Sequence, residues 1–183
     1  EATDIGEVEG LLAIARGTQI GVSDPNSAAG RAGLTTGESV IKWNETPVSS
    51  WEQMEDAYGA TQAGADLVLQ IRSQAADKKD TLRDVRFTKP KRHSSLGEDF
   101  GLYSSELFVE KTIDKSPAAS SGILAKDRII KIQNHKMESF FQLKDAVQRA
   151  GEKDGKVLVT WERQGHIMNA EIIPTGAQVR DPL

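Results

Sequence analysis

The chain has 183 residues with 27 acidic against 23 basic side chains, and its net charge of −4 leaves no basic excess with which to hold a nucleic-acid backbone. Hydrophobic residues make up 38% and charged residues 27%, a globular balance, and the longest apolar run, residues 10–15, falls far short of the roughly 20 that cross a bilayer. With no cysteine there is neither a disulfide nor a thiolate metal site, which suits an oxidising compartment without requiring one.

Residues 1–9 are acidic and unpatterned and read as a leading tail. Residues 10–14 and 18–23 read as two strands with Arg16-Gly17 as the turn between them. Residues 27–32 are small and form a short helical turn that closes on Gly33, where the left-handed conformation costs nothing. A β-branched strand over 38–43 and a tight connection over 44–47 follow. Ser50, with Gln53 three residues on, predicts a capped helix start; Trp51, Met54 and Tyr58 then recur at helical spacing, with Gly59 near the end. Strands are expected over 65–73 and 81–88 around a polar turn at 74–80.

Residues 89–99, rich in Pro, Ser and charge, read as an exposed connector in which Lys89, Lys91, Arg92 and His93 face solvent. The pattern then starts again. At an offset of 89, Ser27 falls on Ser116, Ala29 on Ala118, Gly33 on Gly122, Ile41 on Ile130 and Lys42 on Lys131, and residues 50–57 fall on 139–146. The second copy predicts a helical turn over 116–121, a strand over 127–132, and a helix begun by Ser139 and Gln142. Phe140, Leu143, Val147 and Ala150 mark its apolar face and Gly151 its end; strands over 157–163 and 169–173 flank a Gln164-Gly165 turn, and Pro174 closes the copy. A repeat of this length implies two small domains of about 90 residues rather than one large one. Split at residue 90, the halves carry 9 basic against 14 acidic and 14 against 13.

The repeated unit, a Ser-x-Ala-x-x-x-Gly turn followed by an aliphatic-Lys-aliphatic-Asn/Gln strand end, resembles the PDZ domains of bacterial envelope proteases. The second copy departs from the usual motif at Lys126, where Gly is common, and the first at Glu38, where Asp is common. Lys115-Ser-Pro-Ala-Ala, the aromatic helix start and Glu162-Arg-Gln-Gly before a strand ending at Pro174 bring it nearest to the tandem PDZ domains of site-2-type intramembrane zinc metalloproteases, the regulator of sigma-E protease family.

That resemblance implies an α+β fold of two consecutive, circularly permuted PDZ-like domains, each a small, mostly antiparallel barrel or sandwich with one long and one short helix. The implied bounds are 1–90 for the first, 91–99 for the linker, 100–176 for the second and 177–183 for a tail. In such domains an extended peptide adds to the first strand beside the long helix, and a Gly-bearing loop cradles its terminal carboxylate. The matching positions are Gly10, Leu11 and Leu12 facing Trp51, Glu55 and Tyr58 in the first copy. In the second they are Phe100, Gly101, Leu102 and Tyr103 facing Phe140, Lys144 and Val147, the better match and the expected binder.

The implied function is control of substrate access to a membrane-embedded protease, by capture of exposed C-termini or by size exclusion, on the periplasmic face of the bacterial inner membrane. Implied partners are protein C-termini and membrane-protein substrates such as an anti-sigma factor, with no nucleic acid and a monomeric fragment. The PDZ pair of an HtrA-like serine protease and a stand-alone PDZ adaptor are the alternatives. Neither a His-Glu-x-x-His pair, a Gly-x-Ser-x-Gly elbow nor a phosphate loop is present, and His93, His135 and His166 fall in the connector and two turns. The chain is therefore expected to be a non-catalytic fragment without a cofactor, the zinc lying elsewhere in its parent.

Overall fold

A computed structural model describes residues 7–8, 11–13, 17–74, 80–92 and 94–174. In chain order the elements are β1 (Glu7–Val8), β2 (Leu11–Ala13), β3 (Ile20–Gly21), α1 (Ala28–Arg31), β4 (Ser39–Trp43), β5 (Thr46–Pro47), α2 (Trp51–Ala60), β6 (Asp66–Gln74) and β7 (Asp80–Thr88). They continue as α3 (Leu96–Phe100), β8 (Tyr103–Ser104), β9 (Val109–Thr112), α4 (Pro117–Ser120), β10 (Arg128–Ile132), β11 (His135–Lys136), α5 (Phe140–Asp154), β12 (Val157–Arg163) and β13 (His166–Ile172). The fold is mixed α and β, and the sheets are antiparallel.

The chain forms two compact units, Ala15–Ser105 and the combination of Glu1–Ile14 with Glu106–Leu183. In the Ala15–Ser105 unit a four-stranded sheet runs β5-β4-β6-β7 and a small sheet pairs β3 with β8. Its core gathers Ile20, Leu34, Val40, Trp43, Met54, Tyr58, Leu67, Leu69, Ile71 and Phe87 with Leu96 and Phe100 of α3. The other unit has a sheet in the order β11-β10-β12-β13 and a smaller one in the order β1-β2-β9, over a core of Val109, Ile123, Ile129, Ile132, Leu143, Val157, Val159 and Trp161. Each such aliphatic side chain contributes about 1.5–3 kcal/mol by leaving water.

The sequence repeat is reproduced in local detail. Ser27 and Ser116 accept hydrogen bonds at the starts of α1 and α4, and Ser50 and Ser139 do so for α2 and α5. Gln53 and Gln142 reach back one residue further than a capping box requires, accepting from Ser49 N and Glu138 N. The same register shift recurs in the two sheets, between Val40 and Lys42 and between Ile129 and Lys131.

Each copy also places one carboxylate behind the turn that precedes its central strand. Glu38 and Asp127 are buried. The Arg83 guanidinium donates to both Glu38 oxygens at 2.8 and 2.9 Å and to Gly33 O at 2.9 Å. Arg163 likewise donates to Asp127 at 2.7 and 2.6 Å and to Gly122 O at 2.6 Å. The carboxylates accept as well from the turn, Glu38 from Thr35 N and Asp127 from Leu124 N. Burial alone would raise the Glu38 pKa, but hydrogen bonds from Arg83, Ser73 and Thr35, with the Arg83 charge, hold it below the ordinary 4.5.

The compact units do not follow the bounds 1–90, 91–99 and 100–176. Residues 91–99 hold most of α3, whose Leu96 and Phe100 are buried with Leu102 in the core of Ala15–Ser105. Apolar burial draws this stretch back onto the first copy. Lys89, expected in solvent, is buried: its ammonium donates to Tyr58 O and Thr61 O at the end of α2 and lies 4.3 Å from the Tyr58 ring centre. Four carbonyls are left over at any helix end, and a lysine meets both that need and the helix dipole. Helix α5 runs past Gly151 to Asp154 and stops at Gly155, which is left-handed at φ 65. Glu7–Val8, expected in a tail, form β1.

Lys126 stands where the first copy has Gly37, and its φ is +72. A side chain in that conformation costs about 1–2 kcal/mol, part of which glycine's unfolded-state entropy returns. Lys126→Gly should therefore stabilise the unit by about 0.5–1 kcal/mol in urea unfolding. Asp127→Ala should destabilise it by about 2–4 kcal/mol, because it orphans Arg163 and the turn amide together. Since Glu38 binds its proton less readily folded than unfolded, the stability it contributes is present above about pH 4.5 and is lost as pH falls below that. Unfolding curves between pH 3 and 7 should be flatter for Glu38→Gln than for the parent.

Candidate functional site

The candidate residues are regrouped by strand pairing. β8, which opens the second copy, pairs with β3 of the first through Ile20↔Ser104 and Gly21↔Tyr103. β2, which precedes the first copy, pairs with β9 of the second through Leu11↔Thr112, Leu12↔Lys111 and Ala13↔Val109. Phe100, Gly101, Leu102 and Tyr103 therefore share a unit with Trp51 and Tyr58, whereas Leu11 and Leu12 share one with Phe140, Lys144 and Val147. Gly10 lies outside the described residues.

In the Ala15–Ser105 unit the expected carboxylate loop is built as a helix end. Ser95 and Glu98 form a full capping box at the start of α3, and Gly101 is its left-handed C-cap at φ 70. A Cβ on Gly101 would come within 2.3 Å of the Ser27 Cβ. Leu102 is fully buried, and Phe100 stacks at 4.6 Å on Phe87 and meets Tyr58 edge-on at 5.7 Å. These are core contacts rather than an open pocket wall. Trp51 lies half-buried at the margin of the same core, and Tyr103 is half-buried with its ring where a Gly97 side chain would stand.

A polar cluster that sequence reasoning passed over ties α3 to α2. The Tyr58 hydroxyl donates to Asp99, whose side chain is wholly buried, and Arg92 donates to the same carboxylate at 3.0 Å. Burial pushes the Tyr58 pKa far up, and the Asp99 carboxylate adds to that. Burial would raise Asp99 too, but hydrogen bonds from Ser94, Tyr58 and Arg92 hold it below its ordinary value. The legible signal was Ser95-x-x-Glu98, a capping box inside the presumed connector.

In the other unit β2 takes β9 along one edge and β1 along the opposite one, with Glu7↔Leu12 and Val8↔Leu11. On α5, Phe140 and Val147 are half-buried against the core and Lys144 is exposed. Glu106 accepts from the Phe140 amide at 3.1 Å, and Phe141, the next residue, is 80% exposed. The opposite flank of α5 borders a cleft of about 580 Å³ lined by Met137, Gln142, Asp145, Ala146, Arg149 and Lys153, where Arg149 is paired with Asp145 at 2.9 Å.

Among the described residues no three His, Cys, Asp or Glu side chains converge in a way that could hold a metal ion. His135 and His166 are exposed on β11 and β13, and His93 lies outside the described set. No zinc site fits these side chains, since zinc takes three or four of them at about 2.0–2.3 Å. No described helix is long and apolar enough to cross a membrane.

Two small antiparallel α+β units are thus built on one repeated plan. No family model matches the chain. It is 22% identical over 167 residues to a protein of Neisseria meningitidis serogroup A / serotype 4A named "Putative zinc metalloprotease", a match covering 88% of this chain and 36% of that protein. Over 66 residues it is 35% identical to a Staphylococcus aureus (strain MRSA252) protein of the same description, and 33% identical to that of strain N315. Those matches cover 36% of this chain and 15% of each protein. The chain thus spans about a third or less of the length of the relatives it matches.

Leu102→Glu should unfold the Ala15–Ser105 unit, since an unpaired carboxylate cannot be kept in an aliphatic core. Gly101→Val should destabilise it through both φ and the Ser27 contact. Lys144→Glu should leave the melting curve within about 0.5 kcal/mol of the parent. Circular dichroism melts of the three variants compare these outcomes directly.

Proposed function

We propose that the chain is a tandem PDZ-like module of a zinc metalloprotease of the site-2 intramembrane class, controlling which substrates reach the protease by adding an extended protein segment to a strand beside a long helix. The observation that carries this reading is that both copies use one plan. Ahead of each repeat a short strand, β2 or β8, joins the strand that opens the opposite copy, and each unit owns one long Ser-capped helix, α2 or α5. Strand addition needs such an edge and a neighbouring apolar wall, the edge supplying affinity and the wall selectivity.

The name carried by the relatives favours the zinc class over the HtrA-like serine proteases, and the 22% match runs across both units. The zinc and the reaction then belong to parts of the parent beyond these residues. The partners of this reading are exposed C-termini and membrane-protein substrates such as an anti-sigma factor, met at the periplasmic face of the inner membrane.

Fluorescence anisotropy with labelled peptides ending in Val, Ala or Phe tests capture. Dissociation constants in the micromolar range are expected, because a few backbone hydrogen bonds must offset the ordering of a flexible chain. Lys144→Glu should weaken binding about three- to tenfold if α5 lines the occupied groove, and Trp51→Ala should do so if α2 does. Absence of binding by every peptide would overturn capture and leave size exclusion as the mode of control.

A further inference from the structure

We infer that residues Glu7–Val8 are an internal ligand for β2 and hold its peptide-pairing edge until a substrate segment displaces them. The inference rests on the proposed reading that β2 accepts an added strand. A strand has two edges, and each backbone donor or acceptor in it serves one neighbour. β9 holds one edge of β2 through Leu11↔Thr112, Leu12↔Lys111 and Ala13↔Val109. β1 holds the other, antiparallel, through Glu7↔Leu12 and Val8↔Leu11. With both edges taken, no third strand can join β2.

The occupant is well suited to being displaced. Among the described residues it contributes two paired positions, and an isolated two-stranded ribbon is marginal in water. It lies two residues ahead of β2 in the chain, and that proximity gives it an effective concentration in the millimolar range. A longer segment that makes more ladder hydrogen bonds can therefore replace it. The occupant also indicates what the edge takes. Val8 continues into Glu9 and carries no terminal carboxylate, so the edge accepts an internal extended segment, here an acidic one with an aliphatic residue.

The test replaces both residues by proline, Glu7→Pro with Val8→Pro, which removes the β1 amide donor whichever of the two faces β2. Two labelled probes are titrated against the parent chain and the variant: a C-terminally amidated peptide of residues 1–9, and a peptide ending in Val. Backbone amide shifts of Leu11, Leu12 and Ala13 locate binding, and unchanged β12–β13 amide shifts show that the variant is folded; a chain lacking residues 1–8 serves if it is not. The residue 1–9 peptide should bind the variant at least tenfold more tightly than the parent and shift the three β2 amides. Equal affinity for both chains, no binding to the variant, or shifts elsewhere would overturn the inference. If the Val-ending peptide binds neither chain while the residue 1–9 peptide binds the variant, peptide capture from other proteins falls and the internal ligand stands. If the Val-ending peptide binds both chains equally through β2, the internal ligand falls and capture stands.

Discussion

Each unit depends on a carboxylate that burial disfavours and geometry retains. Glu38 and Asp127 sit below the turn that joins the short helix to the central strand, and each is reached by an arginine from a later strand, β7 or β12. The same arginine takes the carbonyl of the glycine that ends the short helix, Gly33 or Gly122. The helix end, the turn and a strand about forty residues further on are thereby fixed to one another by charge-assisted hydrogen bonds, which are shorter and stronger than neutral ones. The turn so held donates Gly37 N to Ile20 O and Lys126 N to Val109 O, and so sets β3 and β9 in place. Those two strands are the ones that receive β8 and β2. The strand pairing on which any peptide groove rests is thus anchored indirectly by an ion pair.

The exchange of opening strands shows how a repeat in sequence and a unit in space can part company. Had β2 and β8 paired within their own copies, the unit boundary would fall in the connector near residue 90. Instead the connector supplies a capped helix whose Leu96 and Phe100 complete the aromatic cluster of Tyr58, Phe87 and Trp43. Asp99 then finds the Tyr58 hydroxyl, and Lys89 finds the end of α2. In this stretch rich in charge and serine, Lys89 and Asp99 thus have partners on α2, while Ser95 and Glu98 cap α3.

What could be read in the sequence was local. The Ser27, Ser50, Ser116 and Ser139 caps, the glycines at 33 and 122, and the β-branched central strands each follow from nearby residues, and the structure places them as expected. Pairing partners were not legible, because alternation within a strand specifies a face and says nothing of which neighbour lies alongside. For the same reason Phe100-Gly101-Leu102 read as a loop when Gly101 is a helix cap and Leu102 is core. The end of α5 was misplaced because two glycines competed for it: Gly151 is inside the helix with Pro174 packed 3.3 Å from where its Cβ would stand, and Gly155 is the one at positive φ. Spacing alone cannot separate a glycine chosen for room from one chosen for backbone freedom.

The placement of β2 also bears on how the protein comes to be made. Leu11 pairs with Thr112, so β2 can meet β9 only after the whole of the Ala15–Ser105 stretch between them has been made. The stretch Ala15–Ser105, by contrast, is contiguous and contains every strand of its two sheets. Synthesis at about 5–20 residues per second favours completion of that contiguous unit first. The slow step of the other unit is then the long-range pairing of β2 with β9.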